Sequence, residues 1–396
     1  GGAEYRYEKY DISSGSPSSY YKSGSQGLGG IIPAIAGGHS RDVTAGYIDI
    51  DIHPIKKLDI DLAGRTEHYT DVGDTQTGKI AARYDLSRRV AFRAAISSGF
   101  RAPTLAEEYF SNIVTDATGG ASGLLATGSA GARQIGASKL KPERSTNISG
   151  GIVLEPVDHW HIAADVYQIN IRDRIVGGGR VNGQQAIDAI ETNGIPLQAA
   201  TPSDVSANYL TNGASTRTQG LDITSDYTWR TQKYGTFQFN LALNLNRTTI
   251  HHMALNASGG PQLNAQLATY LTNATPRSKI ILGMNWTYGK FDVMLRETRF
   301  GSLAENLTFY AAGPNQYSTS VFQHFINAPR WNTDIELGYK PLTYLRVAVG
   351  ARNVTNIKPS KLPAENSYVG SYWYSIRNGQ MGFNGGFYYA RANVTF

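Results

Sequence analysis

Residues 237–246 read FQFNLALNLN, with an apolar residue at every odd position and a polar or small one at every even position. Side chains of a β-strand alternate between two faces, so this period of two predicts a strand with one apolar and one polar face. Residues 48–52 (IDIDI) and 58–62 (LDIDL) repeat the pattern with carboxylates. Similar alternation predicts fourteen strands, over residues 2–10, 43–53, 57–68, 77–87, 90–98, 144–155, 159–171, 214–229, 235–250, 277–288, 291–301, 328–340, 343–351 and 383–396.

The connections between these strands alternate strictly between short and long. The short ones are residues 54–56, 88–89, 156–158, 230–234, 289–290 and 340–342. The long ones, polar and rich in Gly and Tyr, run roughly over residues 11–42, 69–76, 100–143, 172–208, 251–275, 302–327 and 352–381. This alternation places every long connection at one edge of an antiparallel sheet. A soluble β-protein has little reason to sort its loops this way, whereas a barrel crossing an outer membrane does.

Composition supports the same class. The 396 residues include 24 Tyr and 43 Gly, and no stretch of 18 or more residues is continuously apolar, so no transmembrane helix is expected. The absence of Cys excludes disulfides and thiolate metal sites. The net charge of +6 is scattered without a Lys/Arg run, so no nucleic-acid partner is expected. Trp160, Trp229, Trp286 and Trp331 lie near turns or loop junctions, as aromatic residues at a membrane interface do.

Several motifs follow one another along the chain. They are SSGFRAPTLAEEY at 97–109, LKPERS at 140–145, DVYQINIRDRI at 165–175, the stretch from Asn212-Gly213 to Thr218-Gln219-Gly220-Leu221-Asp222, and ARNVTN at 351–356. In this order and spacing they resemble the C-terminal part of a TonB-dependent outer-membrane receptor. The Phe-Arg-Ala-Pro segment of that family leaves a strand and starts a large external loop, and Leu-x-Pro-Glu begins the return strand. The terminal Phe396 resembles the signal that outer-membrane assembly machinery recognises.

The resemblance implies a globular plug inside a barrel of about 22 strands. Residues 1–396 would then be the last fourteen strands of one barrel domain, without the plug or the segment that contacts the TonB energy system. Strands 2–10 and 383–396 would expose unpaired N–H and C=O groups to lipid. We therefore expect a plug and further strands, from the same protein or a second chain, to complete the wall.

The function implied is import of a scarce, bulky nutrient across the outer membrane of a Gram-negative bacterium, driven by TonB and without catalysis or a cofactor. A siderophore-type iron chelate is the main candidate ligand, with a glycan or cobalamin as alternatives. Residues 104–139 contain no His, which counts against haem. The alternative function is a self-contained, fourteen-stranded passive channel.

Two groups of residues are candidates for contacts. The polar strand faces carry mixed charges expected to face the lumen and the plug: Asp49, Asp51, Asp59, Asp61, Arg65, Arg83, Asp85, Arg93, Asp165, Asp222, Asp226, Arg296, Asp334, Glu336, Arg346 and Arg391. The external loops carry aromatic or cationic side chains that suit a bulky ligand: Tyr109, Phe110, Arg133, Tyr209, Tyr310, Tyr317, Phe322, Tyr372, Trp373 and Tyr374. The adjacent pair His251-His252 is expected in a long loop, and no metal site is predicted because neighbouring residues on extended backbone point in opposite directions.

Overall fold

A computed structural model describes residues 1–20, 30–115, 120–178, 180–197, 202–256, 259–370 and 372–395. Phe396, the predicted assembly signal, lies outside these ranges. In the described part of the chain, no helix is both long enough and apolar enough to cross a membrane.

These ranges contain nineteen β-strands and four α-helices. The strands are β1 (Gly2–Ile12), β2 (Gly37–Ile55), β3 (Leu58–Tyr69), β4 (Gly73–Ser87), β5 (Val90–Arg101), β6 (Asn112–Thr115), β7 (Ala121–Leu125), β8 (Glu143–Leu154), β9 (Trp160–Gly177), β10 (Val181–Asn182), β11 (Val205–Thr231), β12 (Gly235–Met253), β13 (Ser278–Tyr288), β14 (Phe291–Phe300), β15 (Leu303–Leu307), β16 (Gln323–Asn327), β17 (Arg330–Leu342), β18 (Leu345–Arg352) and β19 (Phe387–Val394). The helices are α1 (Leu105–Tyr109), α2 (Ala130–Gln134), α3 (Gln184–Thr192) and α4 (Ala265–Asn273).

Fourteen of the strands form one antiparallel wall in the order β1-β2-β3-β4-β5-β8-β9-β11-β12-β13-β14-β17-β18-β19. The predicted fourteen-stranded all-β architecture is therefore confirmed. Within the described ranges, β1 pairs only with β2 and β19 pairs only with β18. The wall is thus open, with one free backbone edge on each side.

The short turns gather at one edge of the wall and the long connections at the other, because consecutive strands run in opposite directions. One predicted long connection, 69–76, is wrong. β3 continues to Tyr69 and β4 begins at Gly73, which leaves only residues 70–72 as a turn. Gly73 has a φ of +81°, a left-handed conformation that favours glycine and allows this tight reversal.

The strands also reach further toward the long-loop edge than the alternation indicates. β12 extends to Met253, so the expectation that His251 and His252 lie in a loop is wrong. The pairing register of β11 with β12 shifts between Ser215 and Thr216, near the long-loop edge. Such a shift indicates a β-bulge. A bulge interrupts the sequence pattern without ending the strand.

The apolar face of the wall is exposed along its length, for example at Ile48, Ile80, Ile96 and Leu282. Near the short-turn edge this face carries a band of rings on strands β11 to β17. Trp229 lies 5.5 Å from Phe237, Phe237 lies 6.3 Å from Trp286, and Phe291 lies 5.0 Å from Tyr339, measured between ring centres. Such a band matches the aromatic girdle at a membrane–water interface.

Two long connections fold together into a small cap with its own core. Strand β7 pairs antiparallel with β6 and parallel with the first residues of β11, and β10 pairs with β11 on the other side. Helices α2 and α3 contact each other, and the cap core includes Leu125, Ile135, Ile190, Ile195 and Val205. The sequence pattern did not predict this cap, since its elements are short and lie within polar, Gly-rich segments.

Candidate functional site

The pairing register brings the predicted charged residues onto one face of the wall, because directly paired residues share a face. Asp51 lies opposite Asp61, Arg83 opposite Arg93, and Arg296 opposite Asp334. We call this face the polar face; it carries Asp49, Asp51, Asp59, Asp61, Arg65, Arg83, Asp85, Arg93, Asp165, Asp222, Asp226, Arg296, Asp334, Glu336, Arg346 and Arg391.

Several of these charges pair across an intervening strand. The guanidinium of Arg93 on β5 donates from Nε to Asp165 Oδ1 on β9 at 2.6 Å. Gly151 on β8 lies between them, opposite both residues. A Cβ at Gly151 would collide with the Asp165 carboxylate, so the glycine leaves the space that this ion pair occupies.

The same arrangement recurs near the short-turn edge. Arg346 on β18 donates from Nε to Asp292 Oδ1 on β14 at 2.9 Å, above Gly338 of β17. Arg346 and Arg391 also donate to Glu336 Oε1, at 2.7 Å and 2.6 Å. These ion pairs join strands that are not direct neighbours, β5 to β9 and β14 to β18, and so stiffen the polar face.

One part of the polar face keeps an excess of negative charge. Asp49, Asp51, Asp59 and Asp61 lie on the neighbouring strands β2 and β3. Asp61 forms an ion pair with Lys79, and His53 Nε2 lies 3.2 Å from Asp59 Oδ1. Asp49 has no ion-pair partner within the described residues, so this patch can attract a cationic group.

The two motifs that flank the cap meet at one ion pair. Arg101, in the Phe-Arg-Ala-Pro segment, donates from Nε and Nη2 to the two carboxylate oxygens of Glu143 at 3.0 Å and 2.9 Å. Arg101 also donates to Glu107 Oε2 at 2.8 Å. Glu107 in turn closes a capping box with Thr104 at the start of α1.

The same segment is held to β2 by a buried arginine. Arg41 is 5% exposed and donates from Nη1 to the Pro103 carbonyl at 2.7 Å and to Asp71 Oδ2 at 3.1 Å. Nearby, Glu108 is 8% exposed, and burial together with the Asp71 carboxylate raises the pKa of Glu108 to about 7. The motif therefore anchors the start of the cap, and its buried carboxyl is poised to titrate near neutral pH.

A second group of loop side chains lies where α4, β15 and the connection after β18 meet. The Tyr310 ring contacts the rings of Tyr317 and Tyr368 edge to face, at 5.9 Å and 5.4 Å. The Arg377 guanidinium lies 3.9 Å from the ring centre of Tyr270, a cation–π contact. We call Tyr270, Tyr310, Tyr317, Tyr368 and Arg377 the tyrosine cluster.

A buried acid lies behind this cluster. Glu305 is 2% exposed; its Oε2 accepts a hydrogen bond from Ser375 Oγ at 2.9 Å, whereas Oε1 has no partner within the described ranges. Burial raises the pKa of Glu305. Tyrosine rings, phenolic hydroxyls and an exposed guanidinium are suited to stacking on and neutralising an anionic aromatic ligand.

The chain matches the family model described as "TonB dependent receptor-like, beta-barrel" over residues 1–354. It belongs to the TonB-dependent receptor family. No match to the chain was found among curated proteins.

Solved structures of TonB-dependent receptors share the fold. The siderophore receptor PirA from Acinetobacter baumannii is 16% identical with a TM-score of 0.63, and the match covers 100% of this chain and 51% of that one. A variant of the ferric enterobactin receptor PfeA from Pseudomonas aeruginosa, in complex with enterobactin, is 16% identical with a TM-score of 0.65 and the same coverage. The chain therefore spans about half the length of these TonB-dependent receptors.

The remaining ligand candidates of this TonB-dependent receptor chain are spread over the long-loop edge. Tyr109 stacks on His39 with ring centres 3.6 Å apart, and Phe110 follows it as the C-terminal cap residue of α1. Arg133 lies exposed in α2. Tyr209 is 2% exposed in the cap core, so it could touch a ligand only if that core opened.

Four further candidates lie in the connections on either side of β17 and β18. Tyr372 and Trp373 are exposed, and Lys361 Nζ lies 5.2 Å from the Trp373 ring centre. Tyr374 stacks on Phe383, with ring centres 6.3 Å apart, and Phe322 is partly buried. Of the ten predicted loop residues, only Tyr310 and Tyr317 join the tyrosine cluster.

Sequence reasoning missed Tyr270, Tyr368 and Arg377, which reach the tyrosine cluster from two connections. Tyr270 comes from the connection between β12 and β13, and Tyr368 and Arg377 come from the one after β18. The one available signal was an arginine three residues after an aromatic run, Tyr372-Trp373-Tyr374. Within the ranges that the structure describes, no group of three or more His, Asp or Glu side chains could hold a metal ion.

Proposed function

We propose that this chain is the larger part of the barrel of an outer-membrane importer that takes up a siderophore-type iron chelate in a Gram-negative bacterium. External loops capture the chelate, and a plug inside the barrel opens when the TonB system of the inner membrane pulls on it. The family match over residues 1–354 carries this proposal, because the family is one of transporters.

The open wall supports an importer rather than a passive channel. A self-contained fourteen-stranded channel would need β1 to pair with β19, and the described part of the chain contains no such pairing. Free strand edges cannot stay exposed to lipid, since each unpaired N–H and C=O would cost several kcal/mol, on the order of 2–7. We infer that further strands of the same barrel complete the wall.

The charges of the polar face support a plug. Many of them are already paired within the wall, but the acidic patch of Asp49, Asp51, Asp59 and Asp61 retains net negative charge. A basic segment of the plug would neutralise this patch inside the lumen, where screening by salt is weak.

The tyrosine cluster supports the ligand class. Iron chelates of the catecholate type are planar, aromatic and anionic, and the exposed Arg377 guanidinium beside Tyr270 offers both stacking and charge. PfeA is a ferric enterobactin receptor with the same fold. A glycan would favour the aromatic rings alone, and cobalamin would make little use of an exposed guanidinium.

The test is binding by the natural protein, purified from outer membranes, to a panel of ferric catecholates, ferric hydroxamates, cobalamin and oligosaccharides. We expect binding of a ferric catecholate that is lost or strongly weakened by Arg377→Ala. Binding of only cobalamin or an oligosaccharide would refute the ligand class and leave the importer intact.

A further inference from the structure

Three tyrosines on the polar face lie flat across a glycine of the neighbouring strand. Tyr389 of β19 lies over Gly350 of β18, Tyr167 of β9 over Gly220 of β11, and Tyr47 of β2 over Gly2 of β1. In each case a Cβ on the glycine would collide with the phenol ring or its hydroxyl. The glycine therefore gives the ring a path across the strand.

In two cases the phenol ends at a polar side chain of the next strand beyond. The Tyr389 hydroxyl crosses β18 and donates to Glu336 Oε2 of β17 at 2.7 Å. The Tyr167 hydroxyl crosses β11 and accepts from Asn244 Nδ2 of β12 at 3.4 Å. Tyrosine, glycine and polar partner thus form a three-strand contact that spans two rows of backbone pairing.

Tyr47 has the first two parts of this contact and lacks the third. Its ring crosses β1 at Gly2, where a Cβ would lie 2.6 Å from the Tyr47 hydroxyl oxygen. Within the described ranges β1 has no strand on that side, and the Tyr47 hydroxyl makes no hydrogen bond. The Arg65 guanidinium lies 5.8 Å from the ring centre on the opposite side and holds the ring in this direction.

We propose that the edge of β1 pairs with a further strand of the same barrel, and that Tyr47 donates a hydrogen bond across Gly2 to a carboxylate or amide oxygen of that strand. The acceptor is an Asp, Glu, Asn or Gln on the polar face, beside Gly2. The proposal rests on the proposed function only in that the barrel continues past β1. It adds that Tyr47 joins β1 to the next strand, and that the residue it contacts there has a carboxylate or amide side chain.

The geometry explains why the edge needs such a contact. A strand joined only by backbone hydrogen bonds can slip by two residues and keep each side chain on its face. A side-chain contact that spans two strands fixes one register. Tyr47 is 46% exposed, a large area for a ring that lies between Gly2 and the Arg65 guanidinium.

The test replaces Tyr47 by p-benzoylphenylalanine in the natural protein, in outer membranes, with the same replacement at Tyr389 as the control. After illumination, digestion and mass spectrometry, position 389 is expected to cross-link to the β17 peptide that contains Glu336. Position 47 is expected to cross-link to a strand peptide that is not among residues 1–396 and carries an acidic or amide side chain. A cross-link only to β1–β3, to β19 or to a globular plug segment would overturn the proposal.

A second measurement removes the hydroxyl and keeps the ring. Tyr47→Phe and Tyr389→Phe should each lower the thermal midpoint of the natural barrel by about 2 °C, as loss of one hydrogen bond does in a large domain. An unchanged midpoint for Tyr47→Phe beside a lowered one for Tyr389→Phe would contradict the contact. A protein that gives the expected cross-link but imports nothing would refute the proposed function and leave the contact standing.

Discussion

Arg101 and Glu143 form a two-hydrogen-bond ion pair that closes the base of the connection between β5 and β8. The two residues stand 42 positions apart, one in each flanking motif. Glu143 also accepts from the backbone N–H of Ile175 on β9 at 2.6 Å, so one carboxylate joins three strands. The cap therefore starts from a fixed base.

Breaking this pair should loosen the cap without unfolding the wall. In Arg101→Met, proteolytic cleavage of the 102–142 connection on intact cells should become about tenfold faster, which corresponds to about 1.4 kcal/mol. The effect is modest because Arg101 is partly exposed, and a partly exposed ion pair stabilises less than a fully buried one. Arg88→Met, in a turn at the opposite edge, is the matched control and should leave cleavage unchanged. Equal cleavage of all three proteins would contradict the anchoring role.

Glu108 should make the docking of α1 depend on pH. Its pKa is raised to about 7, so the folded state keeps the proton between about pH 4.5 and 7 while the undocked state loses it. Docking of α1 is therefore strongest below about pH 4.5 and weakens as the pH rises from there to about 7. The free energy of docking falls by about 3 kcal/mol at most over this window and is constant above it.

The chain has no cysteine, so a single Ala106→Cys carries a spin label cleanly. The mobility of this label should rise from pH 5 to pH 7.5 in the natural protein. In Glu108→Gln, which cannot ionise, the mobility should stay low across this range. Mobility that rises equally in both proteins would show that another group titrates.

Gly151 should not accept a side chain. A Cβ there would meet the Asp165 carboxylate and lie 2.8 Å from the Ala164 carbonyl oxygen, so Gly151→Ala should cost about 1–3 kcal/mol by overpacking. The adjacent Gly150 is the control, because a Cβ there would have only the Arg93 carbonyl oxygen, at 3.9 Å, within 4 Å. The thermal midpoint of the barrel, read by its heat-dependent mobility on gels, should fall for Gly151→Ala and hold for Gly150→Ala.

The tyrosine cluster should contribute to capture of an anionic aromatic ligand. Arg377→Ala and Tyr310→Ala should each weaken binding of a ferric catecholate by about tenfold, and the loss for Arg377→Ala should shrink at high salt. Arg88→Ala, at the short-turn edge, should bind as the natural protein does. Unchanged affinity in both cluster variants would place capture elsewhere on the loops.

The wall could be predicted from the sequence because each strand carries its own period-two signal, as in residues 237–246, and the register of neighbouring strands follows from matching faces. The sequence predicts a long connection over 69–76, where the structure has a turn at 70–72. The period-two apolar signal fades there because the ends of β3 and β4 nearest the turn carry mostly polar residues. The cap and the tyrosine cluster could not be predicted, since Tyr270, Tyr310 and Arg377 come from three connections without periodicity. Their meeting depends on tertiary packing alone.

The most direct test of the central claim is uptake of a radiolabelled ferric catecholate by cells that make the natural protein, with and without an uncoupler of the inner-membrane proton gradient. An energy-dependent importer predicts saturable uptake that the uncoupler abolishes, while binding at the cell surface persists. Uptake that continues at the same rate after uncoupling would contradict the account, because it would mean a passive channel.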